Sequence, residues 1–311
     1  MKKSRKTILK AVLCLLLAII ILALVVFFWH LPGHLAGKEK ADIAYGGNST
    51  TLMSCNLRCL TPLDLGDRSW FKRSSLLLED IVAAQPEIIG FQEATRWQYE
   101  YMVDCLEQYD SVITYRDRSP MSEGCPIFYN SDIYELVDKG SFWLSETPET
   151  MSKDWGSACY RICSYVILTE KNTRSDFVVF NTHLDHVSDE ARIKGINVVL
   201  DKIAQFGGLP AVIMGDFNAE EGSETYEAVT ENFLDAARAL DSDLSGTYQS
   251  WGELPEGKRI DYFMVSTTGV DPESYRVIDV EHDGVYASDH NPIVLDIRLW
   301  SRWDDRWDGI K

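Results

Sequence analysis

Apolar positions along this chain fall into three patterns. The first is an unbroken run, Ala11–Trp29, which holds no charge over 19 residues and is long enough to cross a bilayer. The second is a series of short, mostly uncharged runs that predict buried strands: Thr51–Asn56, Glu87–Phe91, Ile162–Thr169, Phe177–Phe180, Ala211–Met214, Arg259–Val265 and Ile293–Leu299. Ser111–Tyr115, Cys125–Tyr129 and Tyr134–Phe142 extend that series. The third is helical spacing. From Ser69 onward Phe71, Ser74, Leu78, Ile81 and Val82 share a face, and Pro86 stops the helix after Gln85. A helix is predicted from about Thr95 to Glu107, and another over Ser188–Phe206, with Asp189 and Glu190 in its first turn and a stripe of Ile196, Val199, Leu200 and Ile203. Shorter helical pieces are predicted over Glu224–Thr230 and Phe233–Leu240. Leu144–Met151, which contains Pro148, and the polar stretch around Trp251 read as loops.

Polar residues recur just past the apolar runs. The first strand ends in Asn56, the second delivers Gln92 and Glu93, the Phe177–Phe180 strand leads into NTHLDH with His183, and Ala211–Met214 leads into Gly215-Asp216-Phe217-Asn218. Asp261 lies inside a strand, and Asp289-His290 precedes the last one. A carboxylate at the tip of a buried strand is costly without a ligand, and a divalent cation supplies one to Glu93. An N-cap role is the bland alternative for Glu93, as an Asx-type turn is for Asp216 and Asn218. If the backbone stays extended, Asp216 and Asn218 point the same way, and Gly215 allows close backbone approach. Asp261 needs a partner, and His290 is the expected one. His186 is expected to be an ordinary loop residue.

Charge changes the picture at both ends. Residues 1–40 contribute +6 (seven cations against Glu39), so the remainder carries −24 within a chain total of −18. The basic leader, residues 1–10, should stay in the cytoplasm, with 11–30 as an uncleaved anchor, 31–50 as a linker, and the rest on the far side of the membrane. A cleaved signal peptide is the alternative, with a weak cleavage candidate near Ala36. The acidic field disfavours long polyanions such as nucleic acid unless a basic cleft overrides it; Arg58, Arg68, Lys72, Arg73, Arg116 and Arg118 are the candidates, each otherwise solvated surface charge. The six cysteines outside the anchor show no zinc-like spacing. One catalytic domain over 51–300 is expected, followed by a Trp-rich tail, 301–311. Trp300, Trp303, Trp307 and Ile310 would share one face of that tail, against the domain or at a membrane interface.

Taken together, the stretches around Asn56 (SCNLR), Glu93 (GFQE), His183 (NTHLDH), Asp216 and Asn218 (GDFN), Asp261 (RIDYF) and Asp289-His290 (SDHNP) resemble the endonuclease/exonuclease/phosphatase superfamily of DNase I-like phosphoesterases, in that family's order and over about Thr51–Leu299. The resemblance implies a four-layer α/β sandwich, two mostly antiparallel sheets packed face to face with helices outside. It also implies Mg²⁺ or Mn²⁺ held by Glu93 with help from Asn56 and Asp289. Asp216 would orient or deprotonate the attacking water, with Asn218 fixing it. His290, supported by Asp261, would stabilise the phosphoryl transition state, His183 would contact a nonbridging oxygen, and Arg161 would contact the substrate phosphate. The family's catalytic Tyr has no clear counterpart; Tyr115 and Tyr129 are the candidates. The expected activity is that of a membrane-anchored, extracytoplasmic phosphatase or phosphodiesterase acting on a small or lipid-derived phosphate ester. A surface nuclease and a noncatalytic binding module of the same fold are the alternatives.

Overall fold

A computed structural model describes residues 2–38 and 49–300. In chain order the elements are α1 (Lys2–Lys38), β1 (Thr50–Asn56), α2 (Trp70–Ala84), β2 (Ile88–Gln92), β3 (Ala94–Thr95), α3 (Arg96–Cys105), β4 (Tyr109–Val112), β5 (Glu123–Gly124), β6 (Ile127–Asn130), β7 (Tyr134–Trp143), β8 (Ile162–Glu170), β9 (Asp176–His183), α4 (Asp189–Ala204) and β10 (Ala211–Asp216). There follow α5 (Glu224–Thr230), β11 (Phe233–Asp235), α6 (Ala236–Ala239), β12 (Asp261–Ser266), β13 (Val270–Val277), β14 (Glu281–His282), β15 (Val285–Tyr286) and β16 (Ile293–Leu299).

Two six-stranded sheets form the body, in the orders β13-β16-β1-β2-β6-β4 and β11-β12-β10-β9-β8-β7. Each is antiparallel except for one central parallel pair, β1 with β2 and β9 with β10. Both faces of these strands are covered, which is why they read as continuous apolar runs. Leu52, Ile88, Val179, Val212, Met214 and Leu295 pack between the sheets. Met53, Cys55, Phe91, Leu78 and Ile81 pack under α2 and α3, and Phe180, Ile213, Ile196 and Val199 under α4. Three apolar interfaces therefore separate four layers, as expected. The sheets approach so closely at Gly90 that a Cβ there would lie 2.4 Å from Met214 Cε.

Several local expectations change. Phe233–Leu240 is not one helix: Phe233–Asp235 pairs with Met264–Ser266, and Asp235 then caps the single turn of α6 through Ala237 N–H. Strand pairing overrides the local helical spacing there. β13 escaped the pattern because it is an edge strand with Asp271, Pro272 and Glu273 facing outward and a bulge after Pro272. The 31–50 linker does not begin at residue 31, because α1 continues through Pro32 to Lys38. Tertiary contacts carry it: Phe27 meets Phe71 edge-on, His34 stacks on Tyr101 at 3.9 Å and bonds Ser74 Oγ at 2.8 Å. Residues 39–48 and the tail 301–311, with its proposed Trp face, lie outside the described residues. The six described cysteines beyond α1 are all free thiols.

Candidate active site

Both parallel pairs end at the same edge of the sandwich, so residues at or just past the strand ends gather around a shared cleft of about 760 Å³. The first sheet supplies Asn56 from the end of β1 and Glu93 just past β2, and the second supplies His183 from β9 and Asp216 from β10. Asp261 opens β12 directly opposite Asp216, and Asp289 and His290 precede β16. Gly215 is required here. It sits at φ +141°, and a Cβ would lie 2.0 Å from Thr182 O on the neighbouring strand.

Seven of the nine expected site residues border the cleft: Glu93, Arg161, His183, Asp216, Asn218, Asp289 and His290. Asn56 and Asp261 lie beneath them as supports. Asn56 Nδ2 donates to Asp216 Oδ2 at 3.1 Å and to Glu93 Oε1 at 3.4 Å, joining the two sheets. Asp261 Oδ2 lies 2.9 Å from His290 Nδ1, and His290 Nε2 lies 3.7 Å from Asp216 Oδ2. Burial alone would depress His290, but Asp261, Asp216 and Asp289 outweigh it and hold the imidazole well above its ordinary range. His290 is therefore clamped between carboxylates that favour its protonated form.

His183 behaves oppositely. Burial, then Arg161, Arg116 and His290, push it well below its usual value. His183 Nε2 lies 3.0 Å from Asn218 Nδ2 and 3.4 Å from Asp216 Oδ2. Burial, with Asp261 and Glu93 adding, raises Asp216 to about 7. Asn218 departs from the extended geometry expected of it: at φ +48° its N–H caps Asp216 Oδ1 at 2.8 Å, while its amide turns to His183 and Leu184 O. The Asx turn is present, and it holds the site.

The donor set fits a hard divalent cation. Asp289 Oδ1 is buried without a hydrogen-bond partner, and Asp289 is raised by burial and by the charge of Glu93. Glu93 itself sits at φ +58°, with Oε2 accepting from Cys59 N–H at 2.8 Å. Burial would raise Glu93, but that hydrogen bond, His290, Arg58 and Arg161 lower it below the usual carboxylate value. The N-cap of α3 is Thr95, which frees Glu93 from that duty. Asp216, Asp261 and His290 also bring ligand atoms within 4.8 Å of one another. An imidazolium already bonded to Asp261 is a poor ligand, however, so Glu93 and Asp289, with Asn56, fit a cation better.

Arg161 is 5% exposed and bonds His186 Nδ1 at 3.0 Å, with Nε 3.7 Å from Asp185 Oδ2. Asp185 was overlooked although it stands within NTHLDH; its Oδ1 accepts from Val187 and Ser188 N–H and its Oδ2 from Ser157 Oγ and Ala158 N–H. His186 is a loop residue, as expected, yet it borders the cleft. Of the proposed basic residues, Arg58 and Arg116 reach the cleft, Arg116 through an ion pair with Glu123 at 2.6 Å. Arg73 is neither a cleft residue nor a surface charge. It is wholly buried and donates to the carbonyls of Leu57, Arg58, Arg68 and Ala287. Tyr248, whose ring centroid is 4.9 Å from that of His290, carries no sequence signal because it lies in a polar loop. Tyr129 pairs within the first sheet, and Tyr115 stacks under Arg96; neither borders the cleft.

The comparisons with known proteins agree with this geometry. A model of the endonuclease/exonuclease/phosphatase family matches residues 53–290. The crystal structure of an endonuclease/exonuclease/phosphatase from Bacteroides vulgatus is similar at TM-score 0.76 and 29% identity, covering 81% of this chain and 99% of its own. A mannosyl-6-phosphatase from Bacteroides thetaiotaomicron is similar at TM-score 0.73 and 31% identity, covering 80% of this chain and 99% of its own. The CCR4-Not complex 3'-5'-exoribonuclease subunit of Kluyveromyces lactis is 25% identical over 326 residues, 79% of this chain, although the chain spans only 41% of that protein's length. This chain belongs to the endonuclease/exonuclease/phosphatase family and is a metal-dependent hydrolase of phosphoester bonds.

Proposed function

We propose that the protein hydrolyses a small or lipid-derived phosphate ester by in-line attack of water, from a domain held outside the cytoplasm by α1. The reading rests on one observation above all: within a strongly acidic domain, Arg58, Arg116, Arg161 and Arg192 line the cleft alongside the carboxylates that would hold a cation. A compact anion is drawn in, while the surrounding surface repels a long one.

The geometry supports a role for each residue. Asp216, carried to about 7 by burial and its acidic neighbours, accepts a proton from the attacking water. Asn218 fixes Asp216 through its backbone and His183 through its amide. The His290 imidazolium, held by Asp261, faces the charge that develops on the phosphoryl oxygens. His183 contacts a nonbridging oxygen through a ring N–H, and Arg161 gives the substrate phosphate a fixed cationic partner. Glu93, Asn56 and Asp289 would hold Mg²⁺ or Mn²⁺, which when bound neutralises charge on the phosphate and its leaving group.

A nuclease is the second reading, favoured by the similarity to the exoribonuclease subunit. Hydrolysis of p-nitrophenyl phosphate, its bis ester and plasmid DNA, each with Mg²⁺ or EDTA, separates the two. Metal-dependent turnover of the small esters with intact plasmid is expected; plasmid cleavage that survives moderate salt would overturn the proposal. Asp216→Asn and His290→Ala should each lower kcat at least 100-fold, on the order of a lost general base or electrostatic donor, with the thermal transition retained.

The anchor is tested separately. The intact N-terminus should remain in carbonate-washed membranes. A mature chain beginning near residue 37 would identify the segment as a cleaved signal instead.

A further inference from the structure

Outside α1, the two most exposed large apolar side chains among the described residues are Leu63 and Leu65, at 87% and 72%. They occupy the segment between β1 and α2 and are held in place there. Thr61-Pro62-Leu63-Asp64 closes a turn through Asp64 N–H to Thr61 O at 3.2 Å, with proline at the second position, and Thr61 Oγ1 accepts from Leu63 N–H at 3.3 Å. Asp64, between the two leucines, is bonded to Arg58 Nε at 3.0 Å, and Arg58 borders the cleft and faces Asp289 at 3.6 Å. An ordered turn that points two leucines at water is an unfavourable arrangement unless something covers them.

The position of α1 says what does. Phe27, near the end of the apolar run, packs on Phe71 in the first turn of α2, whereas Gly37, three turns later, lies beside Ser75 and Tyr101. The start of α2 is therefore its membrane-proximal end, and the segment carrying Leu63 and Leu65 leads directly into it. Lys72 is exposed in the same first turn and suits an anionic headgroup layer, whereas the exposed Arg68 just before it is paired with Glu253 at 2.5 Å.

We propose that the Leu63–Leu65 turn inserts into the same bilayer that α1 spans, fixing the rim of the cleft at the lipid surface so that phosphate esters of lipids are the substrate class. The proposal rests on α1 being an uncleaved anchor and, for its substrate clause, on the phosphoesterase reading above. It deepens both.

The test uses the full chain reconstituted in phosphatidylcholine vesicles containing phosphatidylglycerol, with the photoreactive residue p-benzoylphenylalanine placed singly at Leu22, Leu63 or Val137. Leu22 lies in α1, and Val137, 60% exposed, lies on the edge strand β7 of the other sheet. Lipid adducts at positions 22 and 63 but not 137 are expected. Adducts at 22 alone, at all three, or at none would overturn the insertion. Because that readout involves no turnover, its failure is distinct from a failure of the catalytic reading. The substrate clause is read with Leu63→Asp/Leu65→Asp in the same vesicles. Turnover of p-nitrophenyl phosphate should stay within twofold of the parent while hydrolysis of vesicle-borne phosphatidic acid falls at least tenfold; equal changes on both, or none on either, would refute it.

Discussion

Asp185 and Arg73 show what single buried charges do in this protein. Burial would raise Asp185, but hydrogen bonds from Ser188 and Val187 N–H and Ser157 Oγ, with Arg161 nearby, outweigh it and hold the carboxyl at about 2. A depressed carboxylate adds stability above its unfolded value near 4 and loses it as the pH falls through the folded one. Asp185→Asn should therefore be less stable than the parent at neutral pH and converge with it between about pH 4 and pH 2, as urea midpoints would show. Arg73 is expected to be the costlier loss. Truncation to Ala removes the donors that reach the buried carbonyls of Leu57 and Ala287 and the half-buried one of Arg68, and a destabilisation of about 3 kcal/mol or more is expected in chemical denaturation. Asp261→Asn removes the largest charge that raises His290 and one that raises Asp216, so both limbs of the kcat profile should move to lower pH.

At the scale of elements, the turn after β10 is the most constrained. Gly215→Ala places a methyl group against Thr182 O in a backbone region that L residues avoid, and a loss of about 3 kcal/mol is expected, visible as a lowered Tm. The strands that matter here were legible in the chain because they are covered on both faces and end in polar residues: β10, β16 and the polar tips of β1, β2 and β9 fall where the apolar runs predict. The edge strands β13 and β11 were not, since they take their conformation from neighbours and not from an apolar period of their own, whereas the edge strand β7 was. The site followed the same division. Residues at strand tips were found, including the pairing of Asp261 with His290. Tyr248, in a polar loop, and Glu123, in the two-residue β5, were not, because they reach the cleft through long-range folding alone, and Arg73 was misplaced because nothing local marks a guanidinium as buried.

At the scale of the molecule, cation and fold are linked by mass action. If Glu93, Asn56 and Asp289 hold Mg²⁺, saturating metal at 100 times its dissociation constant should add about 2.7 kcal/mol to stability, and Asp289→Asn should abolish that gain in calorimetry while leaving the apo protein folded. The two sheets each contribute half of the reacting pocket, and their spacing is set at the interior contact of Gly90 with Met214. Distance across the pocket is thus governed by the thickness of an oily layer well behind it. A methyl group at residue 90 would act like a shim driven between two boards, opening the jaws at the far rim. Such a variant would lose alignment of Asn56 with Asp216, and with it turnover, while every side chain that touches substrate remained unchanged.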